Sequence, residues 1–237
     1  MSGHSKWSQI KRQKGVADSK RSAAFGKLGS AITVAARAGA DPEMNFQLRI
    51  AVDKARAANM PKDNIERAIE RAKGVGANAL EEIIFEAYGP GGTAFIIESA
   101  TDNRNRTIGE IRAALNKYDG KLAESGAVGY LFKKLGLIIA PAGAEPETTE
   151  LSAIEAGAAD VDIQDDQVYV TTEPTELETV RRNLAQAGIE SNEISFEWQP
   201  TASITLDQTA TEKAMKLYEA LDSIEDVTKV SSNFEIG

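Results

Sequence analysis

The chain has 237 residues, 42% of them hydrophobic, a formal net charge of −9, one histidine and no cysteine. The missing cysteines exclude disulfides, thiolate zinc sites, iron–sulfur clusters and Cys nucleophiles, and His4 alone cannot build a histidine metal site. No apolar run is long enough to span a membrane as a helix, and the length suits one large domain or two to three small ones.

The first 28 residues hold seven cations, Lys6, Lys11, Arg12, Lys14, Lys20, Arg21 and Lys27, against one acid, Asp18. The asymmetry continues: residues 1–75 contain 15 Lys/Arg and 7 Asp/Glu, net +8, and the remainder contains 12 and 29, net −17. A basic end on an acidic chain calls for a polyanionic partner, of which nucleic acid is the commonest. A cation-rich, acid-poor start also fits an organelle-targeting presequence. The helical pattern that follows it argues instead for a folded domain.

Three helical patterns come next. The first follows the cap candidates Asp18 and Ser19, carries Phe25, Leu28, Ile32, Ala35 and Ala36 on one face, and ends at Gly39. The second is predicted to start at Asp41-Pro42, with Met44, Leu48, Ala51, Val52 and Ala55 as its stripe. The third starts at Asn59-Met60-Pro61, buries Ile65, Ala68, Ile69 and Ala72, and stops at Gly74. Its charges, Asp63 with Arg67 and Lys62 with Glu66, are four apart and suit intrahelical pairing, so this helix is given no contact role.

Residues 76–80 read as a linker. A hairpin follows, with strands 81–88 and 93–100 around Gly89-Pro90-Gly91-Gly92. Those glycines suggest a hairpin turn rather than a phosphate loop, since the Lys-Ser/Thr of a P-loop is missing. Thr101-Asp102-Asn103 then caps a helix over 104–118, with Ile108, Ile111, Leu115 and Tyr118 inward, and a strand is expected around 127–132. Arg104 and Arg106 at that helix start are a possible second anion site, or ordinary surface arginines beside a cap.

From 135 to 200 the character changes: two cations, Arg181 and Arg182, stand against 14 acids. Strand 135–140, helix 146–156, strands 160–163 and 168–172 around Asp165-Asp166, helix 174–187 and strand 193–198 give the order β-α-β-β-α-β, the ferredoxin-like pattern. After Pro200 a helix over 209–222, with Ala214, Leu217, Tyr218 and Leu221 inward, and a strand over 226–234 are too little to fold alone. They are expected to return to the middle domain, which makes the acidic module an insertion. The fold class is therefore α+β in three domains: 1–76, a basic tail plus helical bundle; 77–133 with 201–237, a discontinuous middle α/β domain; and 134–200, the acidic ferredoxin-like domain.

Functionally, the tail combines spaced cations with one aromatic. Cations neutralise phosphates and release counterions, and Trp7 either stacks on an exposed base or anchors the tail in a core. The candidate nucleic-acid contacts are His4, Lys6, Trp7, Lys11, Arg12, Lys14, Lys20, Arg21 and Lys27. No catalytic constellation is present: there is no second histidine, HExxH, GxSxG or GxGxxG. The expectation is a non-enzymatic protein with no cofactor, metal, membrane or small-molecule substrate.

Gly3-His4-Ser5-Lys6-Trp7 with Ile10-Lys11, Asn59-Met60-Pro61-Lys62-Asp63-Asn64-Ile65, Tyr88-Gly89-Pro90-Gly91-Gly92 and Thr101-Asp102-Asn103-Arg104-Asn105-Arg106-Thr107 resemble, in this order, the motifs of the YebC family, which includes the mitochondrial translational activator of cytochrome c oxidase. The resemblance runs along essentially the whole chain and implies the same three-domain layout. Because the signature begins almost at Met1, it also implies a bacterial-type cytoplasmic protein without a transit peptide. For function it implies either a DNA-binding transcriptional regulator or a ribosome-associated translation factor that eases synthesis through proline-rich stretches. Specific duplex readout usually uses a recognition helix, and the third helix mixes Glu66 and Glu70 with Arg67 and Arg71. A basic tail with one tryptophan suits folded RNA better. The expectation leans to rRNA and the ribosome, with promoter DNA as the alternative and a basic protein as a partner for the acidic domain.

Overall fold

The architecture was read from a computed structural model, which describes residues 18–73, 80–143 and 145–235, and side chains from residue 24 onward. Phe132–Gln199 makes one compact unit, and Gly15–Leu131 with Pro200–Gly237, as far as they are described, makes a second.

The second unit opens with helices α1 (Asp18–Ala36), α2 (Phe46–Ala57) and α3 (Lys62–Arg71). Ile32 and Ala36 of α1, Leu48, Val52 and Ala55 of α2, and Met60, Ile65 and Ala68 at and on α3 form one buried cluster, with Phe25 and Leu28 packed against it. The expected stripes therefore meet, with one exception. Helix α2 begins four residues later than Asp41-Pro42, because Asn45 is its cap and accepts from the Leu48 N–H. Asp41 instead caps a turn, its Oδ1 taking the Glu43 N–H at 2.9 Å. Met44 thus falls outside the helix and is exposed. The expected stop of α3 at Gly74 and most of the linker lie outside the described residues.

Strands β1 (Glu81–Tyr88) and β2 (Ala94–Thr101) pair antiparallel along their whole length, from Glu81↔Thr101 to Tyr88↔Ala94. The glycine-rich segment is the turn between them. Gly91 there has φ 68°, and a Cβ on it would sit 2.6 Å from Leu206. Helix α4 (Arg104–Lys117) follows, then the two-residue strand β3 (Lys121–Leu122) on the free edge of β1. The C-terminal helix α7 (Gln208–Asp222) buries Ala214, Leu217, Tyr218 and Leu221, and strand β9 (Val227–Ser232) joins the other edge of β2. The sheet order is β3-β1-β2-β9. Central β2 is covered on both faces: α4 and α7 pack together, and α1 lies against β2 and β9. Short β8 (Ile204–Thr205) and β10 (Phe234–Glu235) form a parallel pair.

No strand occupies residues 127–131. That stretch is a loop ending in a 3-10 turn over Gly129–Leu131, and the next strand, β4 (Phe132–Pro141), opens the other unit.

In that unit β4, α5 (Pro146–Glu155), β5 (Asp160–Gln164), β6 (Gln167–Thr172), α6 (Leu177–Gln186) and β7 (Glu193–Pro200) run in the order β-α-β-β-α-β. The sheet order β5-β6-β4-β7 is that of a ferredoxin-like fold. Asp165 and Asp166 close the β5–β6 hairpin with φ of 46° and 62°, the left-handed pair a two-residue turn requires. Ile138, Val168, Val170, Leu177, Val180 and Leu184 are its buried core.

Candidate nucleic-acid interface

Of the predicted contacts, His4, Lys6, Trp7, Lys11, Arg12 and Lys14 lie outside the described residues. Lys20 and Arg21 fall in the first turn of α1. Lys27 has an internal role instead. Its ammonium donates to the Asp222 carbonyl and stands 4.0 Å from the Asp222 carboxylate, and its side chain is 17% exposed. A cation at the carbonyl end of α7 complements that helix's dipole. Lys27 therefore ties α1 to α7 rather than presenting a free charge.

Arg106 is likewise held from within. Its Nη2 lies 2.9 and 2.8 Å from the two oxygens of Asp226, its Nε 3.2 Å from Asp226 Oδ2, and Nη2 also reaches Asp102 Oδ1 at 3.0 Å. Asp226 is buried, just before β9, and also accepts from the hydroxyls of Thr107 at 2.7 Å and Thr101 at 3.0 Å. Burial pushes its carboxyl up, but the Thr107 hydroxyl, the Arg106 guanidinium and the Thr101 hydroxyl outweigh this and hold it below the ordinary 3.8. The same bonds, hydrogen bonding to Asp226 foremost, raise Arg106. With Asn103 capping α4 through the Arg106 N–H at 3.1 Å, the Thr101–Thr107 motif is a clamp that locks α4 to the C-terminal strand. Arg104 is exposed and has no such partner among the described residues, so it alone is left of the expected second anion site.

A second buried carboxylate escaped sequence reasoning. Glu86 of β1 accepts backbone N–H groups from Gly126 at 2.6 Å, Val128 at 2.6 Å and Gly129 at 2.8 Å. Burial raises its pKa, and the three N–H donors more than reverse this, so it sits below its ordinary 4.5. Tyr88 holds the same loop, its hydroxyl donating to the Ala127 carbonyl at 3.1 Å. The only sequence signal was a glutamate two residues beyond exposed Ile84, on the same face of a strand.

Helices α1 and α3 leave a groove of about 420 Å³ between them, lined by Gly26, Gly29 and Ser30 from one side and Asn64, Arg67 and Arg71 from the other. Thr33 Oγ1 lies 2.9 Å from the carbonyls of both Gly29 and Ala68 and fixes the spacing of the two helices. Arg67 is not paired with the Asp63 carboxylate as its spacing suggested. It donates to the Asp63 backbone carbonyl at 3.1 Å and to Asn64 Oδ1. Lys62 and Glu66 do form the expected pair, at 3.5 Å.

Two family models match this chain: the TACO1/YebC N-terminal domain over residues 5–75, and the TACO1/YebC second and third domain over residues 80–234. The chain belongs to the TACO1/YebC family. A relative from Rubrobacter xylanophilus, named "Probable transcriptional regulatory protein", is 48% identical over 100% of this chain and 96% of its own length. One of the same name from Geobacter sulfurreducens is 45% identical over 100% and 96%. The crystal structure of a conserved hypothetical protein from Aquifex aeolicus covers 93% of this chain and 92% of its own, with a TM-score of 0.85 and 40% identity. The N-terminal family domain takes in Ser5–Trp7 and the Asn59–Ile65 motif. Among the described residues no helix is long and apolar enough to cross a membrane.

Proposed function

We propose that this protein is a non-enzymatic regulator of gene expression that binds nucleic acid through its basic N-terminal region. The observation that carries this is the charge partition: net +8 over residues 1–75 against net −17 over the rest. Cations gathered at one end displace phosphate counterions there, and the acidic remainder repels the same polymer. The contacts are assigned to His4, Lys6, Trp7, Lys11, Arg12, Lys14, Lys20 and Arg21, with Arg104 as an accessory cation. Lys27 is removed from the set by its bond to Asp222. The favoured target is ribosomal RNA, with a role in translation through proline-rich stretches, in the cytoplasm. The short α3, with Glu66 and Glu70 beside its arginines, is a poor duplex-reading helix, whereas spaced cations with one tryptophan suit folded RNA.

A second reading, transcriptional regulation through promoter DNA, is favoured by the names of the relatives from Rubrobacter xylanophilus and Geobacter sulfurreducens. Sedimentation with purified ribosomes against excess duplex DNA, beside a variant lacking residues 2–15, separates the two. Tail-dependent cosedimentation that DNA does not compete away is the expected result. Loss of ribosome binding to modest DNA excess, with a sequence-preferring footprint, overturns the ribosomal reading in favour of the second.

A further inference from the structure

The groove between α1 and α3 has a feature that internal packing does not explain. Gly26 and Gly29 sit inside α1, where glycine is destabilising relative to alanine. A Cβ at either would meet nothing within 4 Å among the described residues. Neither has a positive φ that would call for glycine. What their missing side chains do is leave the groove open along one wall. The opposite wall carries cations: Arg67 and Arg71 are four apart on α3 and so lie on one face. Arg67 is steadied by Asn64 and its own helix backbone, without a carboxylate to neutralise it. Arg71 is exposed and has no partner among the described residues.

We propose that this groove is a binding site for the sugar–phosphate backbone of a single RNA strand. Arg67 and Arg71 face its phosphates, and Gly26, Gly29 and Ser30 let the strand approach the α1 backbone. A volume of about 420 Å³ matches a short stretch of one strand's backbone. Charge complementarity selects a polyanion, because the groove lies in the only strongly basic third of the chain. The proposal rests on the nucleic-acid reading above.

The test is titration of the full chain with a fluorescein-labelled oligouridylate across a salt series. Gly29→Gln fills the groove with a good helix former, and R67A/R71A removes its cations from an exposed surface. Both variants should keep the wild-type circular dichroism and melting behaviour. Each should weaken binding about tenfold, and R67A/R71A should flatten the log–log salt slope by about 0.7 per lost phosphate contact. Gly29→Ala, which adds a methyl group to empty space, should melt no lower than wild type and bind within about twofold of it. Wild-type affinity in R67A/R71A, while a K11A/R12A/K14A variant loses binding, overturns the groove and leaves the nucleic-acid reading standing. A wild-type chain that binds neither this RNA nor duplex DNA overturns both. A preference for duplex DNA that R67A/R71A does not alter also overturns the groove.

Discussion

Two arginine-bearing helices of the same unit treat their cations in opposite ways. At the start of α4, Arg106 is matched by Asp226 and Asp102, and its geometry is completed by Thr101 and Thr107. On α3, Arg67 and Arg71 line one wall of a groove opposite Gly26 and Gly29 and carry no carboxylate partner from the described residues. A cation becomes a candidate ligand contact when its own fold does not neutralise it. By that criterion Arg106 and Lys27 serve the structure, and the positive charge left for a partner is concentrated in the N-terminal third.

The contrast can be broken from the structural side. Asp226→Ala removes the carboxylate that accepts from two buried threonine hydroxyls and leaves Arg106 with Asp102 alone. It should cost about 3 kcal/mol of unfolding free energy, read from the denaturant midpoint, while the folded fraction binds nucleic acid as wild type does. A midpoint within experimental error of wild type would show that the clamp is ornamental.

Glu86→Gln comes next. The amide keeps one acceptor oxygen but turns an N–H₂ toward at least one of the three backbone donors, so about 2 kcal/mol should be lost and the amides of Gly126, Val128 and Gly129 should exchange faster with solvent. Unchanged protection at those three amides would contradict the loop clamp.

The pH dependence sharpens both. Asp226 and Glu86 have folded pKa values below their ordinary 3.8 and 4.5. Each therefore contributes stability that is fully present above its ordinary value and is lost as pH falls through its lower folded value. Stability should be flat above about pH 5 and decline steadily below about pH 4.5. The decline should be shallower in Glu86→Gln, which can be checked by chemical denaturation at a series of pH values.

The smallest structural effect is expected from Arg106→Ala. It should lower stability less than Asp226→Ala and leave the salt dependence of nucleic-acid binding unchanged. A flattened salt slope in Arg106→Ala would return this residue to the interface.

Much of this architecture is legible in the sequence because local signals and burial agree. The α7 stripe Ala214, Leu217, Tyr218 and Leu221 is wholly buried, the β1–β2 hairpin forms around its glycines, and the β-α-β-β-α-β order yields the ferredoxin-like sheet. The failures occur where two local signals compete or where a distant partner decides. Asp41-Pro42 has the form of a helix start, but the Asp41 carboxylate takes the Glu43 N–H in a turn and Asn45 takes the Leu48 N–H as the cap. Residues 127–132 form a short apolar run like that of a buried strand, yet Glu86, some 40 positions earlier, takes the N–H groups of Val128 and Gly129 and holds a loop there. Arg106 reads as a surface cation because its partner lies 120 positions away. The groove was hidden for a similar reason: glycines in a helix pattern reveal nothing until the opposing helix is placed.

The most direct test of the central claim is the salt dependence of nucleic-acid affinity for the wild-type chain and for K11A/R12A/K14A. If the basic N-terminal region makes the contact, the variant keeps its melting temperature, binds more weakly and loses about 2 from the log–log salt slope, at about 0.7 per phosphate released on single-stranded RNA. An unchanged slope and affinity would contradict the account and remove the N-terminal tail from the interface.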